Sequence, residues 1–383
     1  MPTGRTLILG AGFGGLTVAT ELRDMLDGRH EIVMVDRQEQ FMMGLRKLWV
    51  LAGIGTLAEG SRPRERVSGG GIRFVQSEVS AIDPGARSAT CDGEAIEADH
   101  MVVALGAEPR PDLIPGLTEH GHDVWDPAGV PRLQEALERF DGGRLAVLIA
   151  GAPYPCPPAP YELAMLLDER LRERGLRDRT DLSVVTLQPM LLPNAGPGGS
   201  AWVGDQLTSR GVTFEVGRKL ERVEPGRAVF SDGELRFDLL VGVPPHRVPA
   251  IVEASGLTGE TGWVMVDRDT LETSHPGVFA IGDVTQIKLA NDLPLPKAGM
   301  IAEAEGRRVA RAVAATLRDE APAPPFDGRG FCFIETGGSQ AALVRGEFFA
   351  APEPQVSVVG PSRENAAEKR RFEAERLERW FGG

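Results

Sequence analysis

Cysteine is scarce in this chain: Cys91, Cys156 and Cys332 are the three in 383 residues. That is too few for a disulfide-stapled scaffold of this length. Long hydrophobic runs are missing too. No apolar stretch approaches the ~18 residues of a bilayer span, which excludes a membrane-crossing helix. Positive charge is in deficit, with 42 Lys and Arg against 55 Asp and Glu and a formal charge of −13. A surface that acidic argues against nucleic acid or an anionic membrane as the main partner, because both require a positive footprint. The opening MPTGRTLILG lacks the basic region, apolar stretch and cleavage site of a secretory leader. The expected compartment is therefore the cytoplasm, where a cysteine pair is more often catalytic or metal-binding than structural.

What is present is an ordinary globular composition, 42% hydrophobic and 25% charged, long enough for two or three domains. Residues Thr6 to Leu9 form an apolar run that ends in Gly10-Ala11-Gly12-Phe13-Gly14-Gly15. Leu16, Ala19, Leu22 and Leu26 then recur at helical spacing, and a second run, Glu31 to Val35, ends at Asp36-Arg37. This is strand, glycine-rich turn, helix, strand and acid. Gly10 serves the tight bend, Gly12 lets the backbone approach a pyrophosphate, and Gly14-Gly15 supply the small residue for close packing. The phosphates of a dinucleotide would sit at the positive end of the helix, with Asp36 accepting from a ribose. The motif alone does not choose between NAD and FAD.

Two further segments bear on that choice. ADHMVVALGA (98–107) is an apolar strand followed by a small-residue turn at Leu105-Gly106, and HPGVFAIGDV (275–284) ends in Gly282-Asp283 before a helical pattern from Ala298 to Leu317. These segments resemble the flavoprotein disulfide reductase superfamily. The resemblance implies that the first turn binds the ADP of FAD, that Asp283 binds the ribityl chain, and that the following helix aims its N-terminus at the flavin. A carboxylate suits ribityl hydroxyls by chemistry as well; the plainer alternative for Asp283 is a helix N-cap. Between these segments, Ile72 to Val75, Ala89 to Cys91 and Glu94 to Ile96 read as short strands, with Asp92-Gly93 as a tight turn. Cys91 is expected there as a buried structural residue, remote from the glycine-rich turns.

A second dinucleotide domain has a damaged loop. Leu145 to Ala150 is an apolar strand and Glu162 to Leu171 a helical pattern, but the connection reads GAPYPCPPAPYE. Its five prolines remove backbone donors and fix φ, so the loop cannot cradle a pyrophosphate. What it offers instead is Cys156, held rigidly. The segment CPPAPYE, the run Val243-Pro244-Pro245-His246 with VPAIVEASGL, Pro296-Lys297-Ala298-Gly299 and Phe331-Cys332-Phe333-Ile334-Glu335 are similar to sulfide:quinone oxidoreductases and to the flavoprotein subunit of flavocytochrome c sulfide dehydrogenase. The likeness runs from Thr6 to the C-terminal RLERWFG. It departs from three-cysteine members of the group, since residues 108–141 contain no cysteine.

The resemblance places Cys156 and Cys332 near the flavin ring, on the face opposite a quinone; of the two, Cys332 is expected toward the flavin and Cys156 as the sulfur carrier. Sulfide is a soft nucleophile that can attack a disulfide and leave a persulfide and a thiolate. Glu162, at the start of its helix, can deprotonate hydrogen sulfide, or it is a first-turn carboxylate serving the helix dipole. Lys297 can stabilise a reduced, anionic flavin; its alternative is a surface lysine.

The expected fold class is α/β, with two Rossmann-like dinucleotide-binding domains plus a small C-terminal α+β interface domain. The FAD-binding domain takes residues 1–110 and 241–320, the degenerate nicotinamide-type domain 111–240, and the interface domain 321–383. Residues 364–382 form a charge-dense helix with Leu377, Trp380 and Phe381 on a narrow apolar stripe, expected to dock on its own protein or on a dimer mate. The expected activity is FAD-dependent oxidation of sulfide, polysulfide or a related sulfur compound, with electrons leaving to a quinone or another small acceptor. A homodimer, and peripheral contact with the inner face of the membrane, are compatible with this reading. Its rivals are a type II NADH:quinone oxidoreductase, which needs a second glycine-rich loop, and a non-catalytic flavin-bearing redox sensor.

Overall fold

A computed structural model describes residues 4–69 and 71–382. Met1, Pro2 and Thr3, which opened the segment read for a leader, lie outside the described residues. The run at Thr6 to Leu9 becomes the strand Gly4–Leu9 at the centre of a five-stranded parallel sheet. Its neighbours are His30–Asp36 and His100–Val103, flanked by Ile72–Gln76 and Val278–Ala280. A parallel strand covered on both faces must be apolar on both. Ile8 accordingly packs with the helix Phe13–Met25, while Leu7 and Leu9 pack into the core on the other face.

The segment Ile72 to Val75, expected among the short strands between the glycine-rich turns, belongs to this main sheet: Ile72 pairs in parallel with Ile32. The separate antiparallel sheet comprises Val79–Asp83, Ser88–Cys91 and Glu94–Glu97. Asp92 and Gly93 form its tight turn with φ of 52° and 82°, and Cys91 is buried there.

The second sheet is also parallel and five-stranded, in the order His122–Asp123, Leu239–Val243, Gly143–Ile149, Thr180–Thr186 and Thr213–Glu215. Because the fully buried strand Leu239–Val243 pairs with Gly143–Ile149, the chain leaves this sheet after Val243, beyond the expected junction at 240/241.

The C-terminal unit is an antiparallel sheet, Arg329–Gly337, Gln340–Glu347 and Gln355–Ser362, followed by the helix Arg363–Phe381. Ser362 caps that helix, its hydroxyl accepting from the Asn365 N–H at 3.0 Å. The helix docks on its own chain. Trp380 meets Phe13 of the glycine-rich turn edge-on at 5.1 Å and Phe41 at 5.5 Å. Burying Leu377, Trp380 and Phe381 contributes roughly 1.5–3 kcal/mol per side chain. Among the described residues, no helix is long and apolar enough to cross a membrane.

Candidate active site

The first glycine-rich turn is shaped by close approach. Gly10 has φ of 102°, and a Cβ there would lie 2.3 Å from the Ala104 carbonyl oxygen. A Cβ on Gly15 would lie 1.9 Å from the Gly10 carbonyl. These two glycines are required by the protein itself. Gly12 differs: nothing lies within 4 Å of its Cβ position, and its open side faces a cavity of about 400 Å³. Gly306 lets the later helix Gly299–Leu317 come near the turn, since a Cβ there would sit 2.8 Å from the Gly14 carbonyl, and a Cβ on Gly14 would itself meet Ile281 at 2.9 Å. Phe13, Gly106, Gly282, Asp283 and Ala298 line the same cavity. Gly106 has φ of 68° and open space around its Cβ position. Leu105 itself turns toward the hydrophobic core.

The acid at the end of the second strand is tied to the turn. Asp36 accepts from the backbone N–H of Ala11 at 2.8 Å and of Gln38 at 2.8 Å. Arg37 points elsewhere: it is half-exposed, paired with Glu108 at 2.7 Å, and outside the cavity. A cation that does reach the cavity near this turn is Arg64, buried and donating to the carbonyls of Ala11 and Gln38 at 3.1 and 3.0 Å.

Asp283 lines the cavity, and burial pushes its carboxyl above the usual range. Lys297 is neither a surface lysine nor a cavity-facing one. Its ammonium turns back to the carbonyls of Asp283 at 2.7 Å and Thr285 at 2.8 Å, over the Trp263 ring. Burial lowers its pKa to about 8. It braces the Gly282-Asp283 turn from behind.

A dinucleotide fits this frame. Gly12 and Gly106 leave room where a side chain would intrude, the helix beginning at Phe13 aims its free N–H groups at the turn, and the Asp283 carboxylate stands further along the same cavity. FAD would be held by Gly12, Phe13 and Gly14 at its phosphates, by Asp36 at a ribose and by Asp283 at the ribityl chain.

Cys156 and Cys332 stand at the far wall of this cavity. Cys156 sits in the proline loop with φ of 56°, a left-handed conformation that costs a non-glycine residue on the order of 1–3 kcal/mol. The surroundings fix it there. Its N–H donates to the Lys297 carbonyl at 2.6 Å, and its own carbonyl accepts from Ala159 at 2.9 Å. The Trp125 indole donates to the Pro155 carbonyl at 2.8 Å, and the Tyr154 hydroxyl donates to the Pro157 carbonyl at 3.0 Å. Cys332 comes from the strand Arg329–Gly337. The two thiols face each other, and the contact pulls Cys156 below the usual thiol range and holds Cys332 well above it. Of the two, Cys156 is the one that ionises first.

Behind Cys156 lies a buried ionic cluster. Glu162, on the first turn of the helix Ala159–Glu173, is ion-paired with Lys369 of the C-terminal helix. Lys369 also reaches Glu335 at 3.6 Å, whose carboxylate accepts from the Trp49 indole at 2.6 Å. Burial pushes Glu162 up to about 7 despite the opposing ammonium. Burial disfavours the charge of Lys369, but Glu162 and Glu335 outweigh it and raise its pKa. Lys369, Trp125, Lys47 and Arg64 all line the cavity, and sequence reasoning singled out none of them. The one signal available was Lys369 and Glu373 recurring with Phe372 on the face of a helix that the structure buries.

The loop of the second domain is built differently, because Pro153, Pro155, Pro157, Pro158 and Pro160 have no N–H to offer a phosphate. A Cβ on Gly151, where its phosphate loop would begin, meets Pro245 at 2.3 Å, and Tyr154 fills the loop from beneath.

Comparison with known proteins agrees with this frame. The family model described as pyridine nucleotide-disulphide oxidoreductase matches residues 4–315. The mouse mitochondrial protein named sulfide:quinone oxidoreductase is 26% identical, covering 90% of this chain and 78% of its own length. A type II NADH:quinone oxidoreductase of Staphylococcus aureus is 25% identical over 82% of this chain and 83% of its own. The crystal structure of the Aquifex aeolicus sulfide:quinone oxidoreductase superposes with a TM-score of 0.89 at 21% identity, covering 99% of this chain and 92% of that one. The expected α/β class and the FAD cofactor stand. The chain belongs to the pyridine nucleotide-disulphide oxidoreductase family and is an FAD-binding oxidoreductase.

Proposed function

We propose that this enzyme oxidises sulfide, or a related sulfur compound, at the Cys156–Cys332 pair and passes the electrons through FAD to a quinone. The observation that carries the reading is that Cys156 and Cys332, 176 residues apart in sequence, stand side by side at the wall of the flavin cavity, close enough to shift each other's ionisation. A neighbouring pair of thiols can interconvert with a disulfide when its Cβ atoms come within bonding geometry.

In the oxidised pair, hydrogen sulfide gives its proton to the Glu162 carboxylate, and the hydrosulfide attacks the Cys156 sulfur. A sulfur–sulfur bond forms to Cys156, the Cys156–Cys332 bond breaks, and Cys332 leaves as a thiolate. A second hydrosulfide takes the outer sulfur away as a disulfane and leaves Cys156 as a thiolate. Two hydrosulfides have then lost two electrons to the pair. FAD, which Gly12, Phe13, Gly14, Asp36 and Asp283 would hold, would supply the two-electron acceptor for the reduced pair. The buried Glu162–Lys369 pair keeps the proton store beside the sulfur.

The mouse relative bears the name of a sulfide:quinone oxidoreductase, which supports both substrate and acceptor. A quinone acceptor would bring the protein to a membrane surface as a peripheral partner. The similarity to a type II NADH:quinone oxidoreductase keeps a second donor in view, but the prolines of the loop after Gly151 offer no N–H groups to its pyrophosphate. Anaerobic sulfide added to the holoprotein should bleach the flavin, and NADH should not. Bleaching by NADH alone, with sulfide inert, would replace this reading with the NADH-oxidising one.

A further inference from the structure

Lys47, on the short helix Arg46–Leu51, has no part in the scheme above. It lines the flavin cavity together with Trp125, Pro155 and Cys156. Its ammonium donates to the Trp125 carbonyl at 2.7 Å. The Trp125 indole in turn donates to the carbonyl of Pro155, the residue before Cys156. The lysine thus stands at the head of a two-bond chain that ends on the backbone of the reactive thiol. Among the described residues it makes no ion pair, while it is an electrostatic neighbour of the Cys156 sulfur.

The charges around Cys156 leave this cation with a task. From the helix that follows its loop, Cys156 faces Glu162; from the C-terminal helix, Lys369; from the opposing strand, Cys332; from its own loop, Tyr154. The Lys369 charge is shared between the two carboxylates of Glu162 and Glu335, so that cluster carries no surplus positive charge when both are ionised. On the other side Lys47 faces Asp123, Asp126 and His246. Asp123 and Asp126 turn into their own loop, accepting from the N–H groups of Trp125 at 2.7 Å and Ala128 at 3.0 Å. Buried His246 is held neutral, its pKa lowered to about 4.

We propose that Lys47 is a positioning residue for the sulfur chemistry: its ammonium braces the Trp125–Pro155 support and holds the negative charge that Cys156 bears as thiolate and as persulfide. The proposal rests on the reading of Cys156 as the sulfur carrier. An anion in a cavity walled by apolar side chains needs a compensating charge, and a cation beside a cysteine favours its thiolate.

The test is the pH dependence of Cys156 alkylation by iodoacetamide in holoprotein carrying Cys332→Ser, read peptide by peptide so that Cys91 stays separate. Lys47→Gln keeps a donor for Trp125 and removes only the charge. It should raise the alkylation midpoint by about one pH unit, or about tenfold less thiolate at neutral pH, while Lys47→Arg stays close to the parent. An unchanged midpoint in Lys47→Gln overturns the proposal. So does a Lys47→Gln protein that takes up no flavin, because the lysine would then belong to the cofactor cradle. This readout needs no sulfide turnover. A normal Lys47 shift with a flavin inert to sulfide would instead remove the functional reading and leave only the lysine's hold on the Cys156 thiolate standing.

Discussion

The backbone N–H of Cys156 donates to the carbonyl of Lys297 at 2.6 Å, while the ammonium of the same lysine is held by the carbonyls of Asp283 and Thr285. One residue therefore couples the loop that carries the thiol to the turn that carries the ribityl acid. Neither its exposure nor its distance from Cys156 could be inferred from the chain, yet it fixes their mutual position.

Lys297→Met should loosen both ends of that link. It orphans two carbonyls at a residue only 5% exposed, at about 1–3 kcal/mol for each unsatisfied group. The thermal midpoint of the holoprotein should fall, and flavin should be released at lower denaturant concentrations. A variant that keeps wild-type flavin retention would show that the brace has no bearing on the cofactor.

Glu162 should write itself into the pH profile. Its folded pKa of about 7 lies above the ordinary 4.5, so it is protonated and unable to accept a proton on the acid side of neutrality. Turnover per unit of sulfide should rise through pH 7, and Glu162→Gln should flatten that limb and lower the plateau by 10²-fold or more. The stability sign is the opposite one. Between pH 4.5 and 7 the unfolded carboxyl ionises first, so this group's contribution to stability declines as pH rises through that window. Comparing denaturation midpoints of the wild type and Glu162→Gln at pH 5 and pH 8 reads this directly.

Lys369→Met should be among the most damaging single changes outside the cysteines. It leaves Glu162 and Glu335 buried without their counter-charge, a loss of about 3–5 kcal/mol. Adding Glu162→Gln to it should recover part of the stability but none of the acid limb. Equal thermal midpoints for Lys369→Met and the wild type would contradict the ion cluster.

The fold was largely legible because its signals are local. The Gly10 to Gly15 turn, the apolar runs that became central parallel strands, and the stripe of Leu377, Trp380 and Phe381 each report on their own neighbourhood. The site was legible where a residue type is rare, as with Cys156 among prolines and Cys332 in FCFIE. It was not legible where a common residue arrives from a distant element. Lys369, Arg64, Lys47 and Trp125 look like ordinary surface or loop residues until packing brings them to the cavity. Arg37, adjacent to Asp36, was the natural sequence choice for a cofactor contact, but the alternation of side chains past the strand end turns it outward to Glu108.

The measurement that bears most directly on the central claim is anaerobic sulfide reduction of the flavin in three proteins: wild type, Cys156→Ser and Cys332→Ser. With flavin content matched, sulfide should bleach the wild type at each turnover, and neither serine variant should turn over more than a trace. Undiminished turnover in either variant would mean that the two thiols at the wall of this cavity do not carry the reaction together.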